Sequence, residues 1–561
     1  MRTFLTGGHR PRAAIPLALA LALLAALPAT ALATDAIDDL PNPPELRSVD
    51  GVLRGTLTVA PAEITVRGRR IVSNVINGSY VAPTLRVRRG DVIRLKAVNE
   101  IGPADVNIDG PQPTNIHYHG MDVSPKLPNG DNVFIRIRPD QSLRYDVPIP
   151  RDHPLGLHWY HAHVHTFVDD QIGSGVSGML IVDGFIPQQY PELVGQRQRV
   201  MVFKDFTFPG FKDGDARAKS LNGFANPPIK ARPGEWQVWE LGNLGADAFF
   251  DMKLDGHELW MIERDGILLL NPVRVDHVFM PPGSRTTVVV RAGAAGEYAW
   301  RHLNVDTGPA GDPNPATRLG TFIVSGSRVP DDPSILQRLR KGPARPIRIQ
   351  PNSDTVAKLP VDRTRYIDFS ESANGNTFFI NDKEYKESRV DTTTRVGQVE
   401  RWVLRNYSQE LHVFHIHQTE FLITKFSGSP DQTLGGGLRD VVNLPYAVKG
   451  KPGVVEVKIP FNNPIIAGEF VYHCHLVQHE DAGMMANIRV LPKQSTAELL
   501  WDKLTRLTGL DLPPLRSEPP PTRVADFGGE LCSSGEASPV VPALVPLPAA
   551  AVGAASLEGA G

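Results

Sequence analysis

The sequence predicts an all-β protein of three tandem Greek-key sandwiches or barrels, followed by a tail of different composition. Three observations carry this. Gly and Pro number 50 each among 561 residues, above their ordinary shares, which favours short strands joined by many turns over long helices. A glycine-turn strand recurs three times: Arg89-Gly90-Asp91-Val92 leads to Asn99, Pro233-Gly234-Glu235-Trp236 to Asn243, and Val396-Gly397-Gln398-Val399 to Asn406, with the same Gly-to-Asn interval. A closing motif recurs in the same order: Gly156-Leu-His-Trp-Tyr-His161, Gly296-Glu-Tyr-Ala-Trp-Arg301 and Gly468-Glu-Phe-Val-Tyr-His473 align without a gap. Repetition at about 150 residues makes each copy one domain.

The chain opens with Arg2, Arg10 and Arg12 ahead of an apolar run from Ala13 to Leu27, then Ala31-Leu32-Ala33. These are the charged, apolar and small-residue parts of a secretory signal over 1–33, cleaved after Ala33, and they predict a periplasmic or secreted protein. No consecutive arginines precede the run, so a twin-arginine signal is not supported. The run is short and Ala-rich and no other apolar stretch reaches 18 residues, so no membrane span is expected in the mature chain. An uncleaved N-terminal anchor is the alternative.

The first domain is placed at 35–185, its turn followed by alternating residues including Val92, Leu95 and Val98, and its last strand bounded by Gly178 and Gly184. The second, 186–340, ends with a strand from Gly320 to Gly326. The third, 341–495, carries the strand with Val399, Trp402 and Leu404 and closes on Ala486 to Leu491. In 496–561 a short amphipathic helix is predicted from Ala497 to Leu507, and from Pro513 Pro, Gly, Ala and Ser predominate, as in a disordered tail.

Lys and Arg (59) nearly balance Asp and Glu (61), for a net charge of −2, with no long run of one sign. Nucleic acid and anionic membrane surfaces are thereby excluded as charge-selected partners, and a monomer is expected. Two cysteines make no disulfide framework. Cys532 sits in the tail as a free thiol, a bridge to Cys474 being the alternative.

Histidine is where the chemistry concentrates. Four clusters, His117-Tyr-His119, His161-Ala-His163, His412-Val-Phe-His415-Ile-His417 and His473-Cys474-His475 with His479, hold ten of the seventeen histidines. Strand side chains alternate, so the two histidines of each i, i+2 pair share a face and can reach one metal centre. His161 and His163 occupy the repeat positions of His473 and His475, whereas the second copy has Arg301 and Leu303 and cannot ligate. The cluster is therefore expected between domains one and three, with the middle domain as a spacer. Cys474 must point away from its two histidine neighbours, and His412, an odd three residues before His415, faces away likewise. Cys474, His412 and His479 with the thioether of Met484 make the His2Cys set of a blue copper electron-transfer site, Met485 being the rival thioether. A closed zinc tetrahedron would leave six or more of these imidazoles unexplained. His153, His158, His165 and His302 lie off the pattern and are read as structural.

The run His117-Tyr-His119-Gly120, Trp159-Tyr160-His161-Ala-His163, His412-x-x-His415-x-His417 and His473-Cys474-His475 with His479 and Met484 resembles the four ligand motifs of the multicopper oxidases, the laccase group in particular, over about 460 residues. The resemblance implies cupredoxin-like domains and four copper ions. It assigns one type 1 copper to His412, Cys474, His479 and axial Met484, one type 2 copper to His117 and His415, and a type 3 pair to His119, His161, His163, His417, His473 and His475. It implies laccase-like one-electron oxidation of phenolic or similar small donors coupled to four-electron reduction of O2 to water, which consumes four protons. Glu480 matches an acidic proton donor of bacterial relatives. Asp131 resembles the acidic residue after the first motif, with Asp122 as its rival because the spacing from His119 is long. Leu438-Arg439-Asp440-Val441-Val442 resembles a stretch near the type 1 copper, where Asp440 would accept a hydrogen bond from a phenol or aniline, or else pair with Arg439. Met484 resembles the lower-potential bacterial enzymes.

The alternative activity is a periplasmic cuprous oxidase in copper homeostasis. Such enzymes usually carry a Met-rich insert, and this chain has nine methionines, with Met484-Met485 the one adjacent pair. Structural relatives that keep the fold without copper lose the ligands, and a simple electron carrier needs no second cluster of eight histidines.

Overall fold

The computed structural model describes residues 37–102, 112–127, 129–212, 215–344, 353–427 and 437–508. The signal at 1–33, the tail from Pro513 and Cys532 lie outside the described residues. Six sheets make three pairs, one per repeat. In the first domain, Glu45–Arg47, Thr84–Val87, Ser177–Val182, Gly156–His161 and His117–His119 form one sheet in that spatial order, and Arg69–Ile76, Val52–Val66, Val92–Asn99 and Ser142–Pro148 form the other. In the third, Thr392–Arg395, Met485–Leu491, Gly468–Cys474, His412–Ile416 and Val441–Leu444 repeat the ligand-bearing arrangement. The second domain has a six- and a five-stranded sheet. Each pair encloses an apolar core; Val92–Asn99 and Gly453–Phe461 alternate in burial, whereas Trp236–Asn243 is buried on both faces.

The repeated turn and asparagine have a common physical cause. Gly90, Gly234 and Gly397 take positive φ values of 85°, 83° and 99°, a region open to glycine because it lacks a Cβ. The asparagine that ends each strand is fully buried and brackets the following loop. Asn99 donates to Gln112 and Ile137 carbonyls and accepts from Ile101 N–H. Asn243 does the same with Ala248, Met280 and Gly245, and Asn406 with Glu410, Leu444 and Ser408. One side chain thus satisfies three backbone groups that burial would otherwise orphan.

Several details differ from the sequence reading. In Val92–Asn99 the core face is Ile93, Leu95, Ala97 and Asn99, with Val92 and Val98 on the other, half-buried face. Residues of odd and even number cannot share one face of a strand. Asp39 and Leu40, assigned to the first domain, pack on the second: Leu40 N–H donates to Pro228 O, Asp39 accepts from Arg199 and Lys230 N–H, and Leu40 joins the second core. Short helices at Val168–Ser174, Phe185–Gln189, Pro333–Lys341, Ser353–Lys358 and Val477–Asp481 were not anticipated, whereas the helix at the end, Thr496–Thr508, was. No helix among the described residues is long and apolar enough to cross a membrane.

Candidate metal centre

Strand pairing brings the histidine motifs together two by two. His117 lies opposite His161, and His415 opposite His473, in antiparallel ladders. The first and third domains turn these faces toward each other, and all eight cage imidazoles are buried. Across the interface, His163 Nε2 stands 3.3 Å from His473 Nε2 and His475 Nε2 stands 3.3 Å from His119 Nδ1; within the third domain, His417 Nε2 lies 3.2 Å from His473 Nε2. His117 stacks on His417 and His119 on His415, at 4.0 and 3.9 Å between ring centres.

The protons of these rings are spoken for at the rear. His117 Nδ1–H donates to Asp131, His161 Nδ1–H to Ala162 O, His415 Nδ1–H to Asp440 O and His473 Nδ1–H to Cys474 O, all at 2.8–2.9 Å. The forward nitrogens therefore present lone pairs, and those of His117, His161 and His415 find no hydrogen-bond partner. Burial holds His119, His161, His415, His417 and His475 well below the ordinary imidazole range, and His163 at about 3. Neutral imidazoles converging lone pairs in a dry cavity fit a cationic metal. Three sets, His117/His119/His161, His117/His415/His417 and His163/His417/His473, keep their ligand atoms within 4.8 Å of one another.

Three carboxylates stand behind the cage. Asp131 accepts from His117 at 2.8 Å, from Tyr118 N–H at 3.2 Å and from Gln418 at 3.0 Å. Its rival Asp122 meets Glu420 instead, and its N–H donates to His153. The turn explains the long spacing: Asp131 N–H donates to Ser124 O, and a side chain on Gly130 would strike the Ser124 and Lys126 carbonyls. Glu480, fully buried, sets one oxygen 3.0 Å from His473 Nδ1 and the other 3.5 Å from His163 Nδ1. Asp440 departs from its expected role. It is buried, its carboxylate is bound by Arg285 at 2.7 and 2.8 Å, and it lies 3.6 Å from His119 Nε2. It therefore faces the histidine cage and is closed to a donor molecule, and its carboxylate pairs with an arginine of the second domain, since that domain packs against the cage.

The second cluster sits on the opposite strand face. His412 Nδ1 and His479 Nδ1 are 3.1 Å apart, and Cys474 Sγ lies 3.7 and 3.9 Å from them. The circle through these three atoms has a radius of about 2.1 Å, close to metal–nitrogen and metal–thiolate bond lengths. Burial pushes the Cys474 thiol well above its ordinary pKa, so its thiolate calls for a cation. Ser408 Oγ, 2.9 Å from His412 Nε2, and Phe378, stacked on His479 at 4.0 Å, orient the rings. Nothing in the spacing of Ser408 or Phe378 announced these contacts. Met484 shares the core of Cys474, and its carbonyl accepts from Cys474 N–H at 3.0 Å. Met485 pairs with His473 in the ladder and packs on Phe134, Tyr385 and Val471, on the wrong face for this cluster.

Each cluster borders a cleft. The side chain of His479 is 10% exposed, 3.4 Å from Glu410, at the floor of a narrow cleft between the second and third domains that also includes Asp247, Phe249, Asp312 and Leu476. His163 borders an apolar crevice lined by Val133, Phe134, Ile135, Val471 and Met485, with the Arg136–Glu387 ion pair on its wall. His153 and His302 make hydrogen bonds within the scaffold, to Asp122 N–H and Pro154 O, and to Asp251 N–H and Asn314.

Three family models, each described as multicopper oxidase, match residues 58–185, 154–324 and 358–494. A laccase of Pycnoporus cinnabarinus is 25% identical over 484 residues, covering 76% of this chain and 88% of the relative. The cell division protein FtsP of Dickeya dadantii is 25% identical over 482 residues, covering 82% and 94%. Among solved structures, a multicopper oxidase from Campylobacter jejuni, described as a metallo-oxidase, superposes with a TM-score of 0.65 at 21% identity, covering 81% of this chain and 95% of that one.

Proposed function

The chain belongs to the multicopper oxidase family, and from that premise we propose that it is a laccase-like enzyme: small phenolic or similar donors each give up one electron, and four electrons with four protons reduce O2 to two waters. One observation carries the reading. Cys474 lies in the His412/His479 triangle while its chain neighbours His473 and His475 lie in the cage, so three consecutive residues join a one-electron site to a site with room for several metals. Four copper ions would be held by these donors: one by His412, Cys474 and His479 with Met484, one by His117 and His415, and a pair by His119, His161, His163, His417, His473 and His475. Copper supplies reversible one-electron chemistry at a thiolate-bound site and multi-electron delivery to O2 at a cluster.

The residues divide the remaining work. His479 offers its edge to the donor cleft. Glu480 and Asp131, buried behind cage histidines, are placed to relay protons toward where O2 is consumed. The crevice beside His163 is the way in for O2. The N-terminal segment supports a periplasmic or secreted location, and the chain is proposed to act as a monomer.

A cuprous oxidase role in copper homeostasis is the second reading, favoured by Asp312 and Glu410 around His479, since carboxylates suit a cationic donor; Asp247 in the same cleft is paired with Arg217 at 2.5 Å, and Lys219 lines it too. The test is to load the purified protein with copper, count the metal, record the visible spectrum and follow O2 uptake with 2,6-dimethoxyphenol and with Cu(I). Four coppers, an intense band at about 600 nm and faster uptake with the phenol are expected. Absence of the band would sink the thiolate site and the proposal with it. Faster uptake with Cu(I) would transfer the assignment to the second reading.

A further inference from the structure

We propose that Arg285, supplied by the domain that carries no ligand motif, is a positioning residue for the copper cage. Arg285 opens the strand Arg285–Arg291 of the second domain and is fully buried. Its guanidinium reaches all three domains. Nε–H donates to Leu157 O of the first domain at 3.2 Å, and Nη1–H to Gly283 O of its own domain at 3.0 Å. Nη1 and Nη2 grip the Asp440 carboxylate of the third domain at 2.7 and 2.8 Å. Asp265 steadies the base of the side chain, accepting from Arg285 N–H at 2.9 Å.

The object of this grip is Asp440, which touches two proposed ligands in two ways. Its backbone oxygen accepts from His415 Nδ1–H at 2.8 Å, leaving His415 Nε2 for the metal. Its carboxylate lies 3.6 Å from His119 Nε2, leaving His119 Nδ1 pointed at His475. A planar fork binding a carboxylate through two parallel hydrogen bonds sets the plane of that carboxylate as well as its charge. Arg285 thereby orients the carboxylate that faces Nε2 of His119, a ring stacked on His415.

The backbone leaves room for nothing else. Gly120, one residue after His119, has φ of +78°, and a Cβ there would collide with Arg285 Nη2 and Asp440 Oδ2. Gly283, φ +86°, abuts the cage from the other side: its Cβ would come within 3.1 Å of His475 and 3.3 Å of His119. The second domain therefore lays a glycine and an arginine against rings that the first and third domains supply, in addition to spacing them.

This inference rests on the cage holding copper, and the experiment separates the two. The full chain, with Arg285→Lys, Arg285→Met and Asp440→Asn, is loaded with copper, and metal content, the visible band and the electron paramagnetic resonance signal of the type 2 copper are measured beside the parent. In the variants the thiolate band should persist, because His412, Cys474 and His479 make no contact with Arg285. Arg285→Met should lose cage copper, about one ion per chain, with an altered or absent type 2 signal. Arg285→Lys, which keeps the charge and loses the fork, should alter that signal in the same direction by less. Should Arg285→Met fail to fold, the Lys and Asn variants decide. Parent copper content and an unchanged type 2 signal in every folded variant would overturn the proposal. A parent that binds no copper would instead overturn the reading on which it rests.

Discussion

Glu480 sits where a proton is most useful and hardest to keep. Its oxygens stand 3.0 and 3.5 Å from His473 and His163, with the side chain closed off from solvent. Glu480→Gln keeps the shape and removes the exchangeable acid. The blue band should be unchanged while O2 reduction slows about 10- to 100-fold, the range of a positioned acid. Turnover equal to the parent would remove Glu480 from the proton path. A second buried carboxyl gives a pH signature unconnected with copper. Burial pushes Glu263 up to about 7 from 4.5, against hydrogen bonds from Thr287 and Gly266 N–H. Below pH 4.5 both folded and unfolded chains hold the proton. Between 4.5 and about 7 only the folded one does, so this group's contribution to stability falls as pH rises through that window and is flat above it. Urea unfolding of the copper-free protein should show the parent losing about 3 kcal/mol relative to Glu263→Gln across that range. Parallel pH profiles would refute the assignment.

At the scale of elements, the glycine turn and its asparagine recur because one buried amide serves three backbone groups in each copy. Removing it should cost about 2–4 kcal/mol in any domain, with consequences set by what the loop carries. Asn406 holds 407–411, which includes Ser408 on His412 and Glu410 beside His479. Asn99 instead bonds Gln112 and Ile137 carbonyls, and no contact of it with the His412, Cys474 and His479 cluster is seen among the described residues. Both Asn406→Ala and Asn99→Ala should lower the unfolding midpoint, and only the former should shift or bleach the visible band. Equal spectra would show that the loop does not tune the site. Alternation placed Cys474 opposite His473 and His475 correctly, since it follows from the pleat alone, and it also separates Met484 from Met485. It could not choose between Asp122 and Asp131, because that depended on a turn whose closure needs Gly130 against Ser124 O.

Across the whole molecule, a cage shared by the first and third domains makes metal binding a clamp. Without a cation the Nε2 atoms of His163 and His417, both close to His473 Nε2, are buried with only one another as partners. Copper should therefore raise the unfolding temperature, by the equivalent of about 2.7 kcal/mol once free metal exceeds its dissociation constant a hundredfold. Hydrogen exchange should slow most in the segments around His117, His163, His417 and His473. Calorimetry showing no shift on loading would contradict a bridging site. The cage also revises the part assigned to the second domain. It lacks ligand motifs, as the absence of His-x-His at Arg301 and Leu303 implied, yet it delivers Arg285 to Asp440 and Asp247 to the cleft at His479.

The sequence by itself determined the all-β class, the three repeats and the ten histidines and one cysteine of the two clusters, because turn chemistry and strand alternation are set within a few residues. Tertiary structure alone decided what stands behind those ligands. Arg285 and Asp440 are 155 residues apart, and His163 and Glu480 come from different domains. Contacts of that kind depend on how folded faces pack, where burial makes any unpaired charge costly and selects its partner from whatever the neighbouring domain presents.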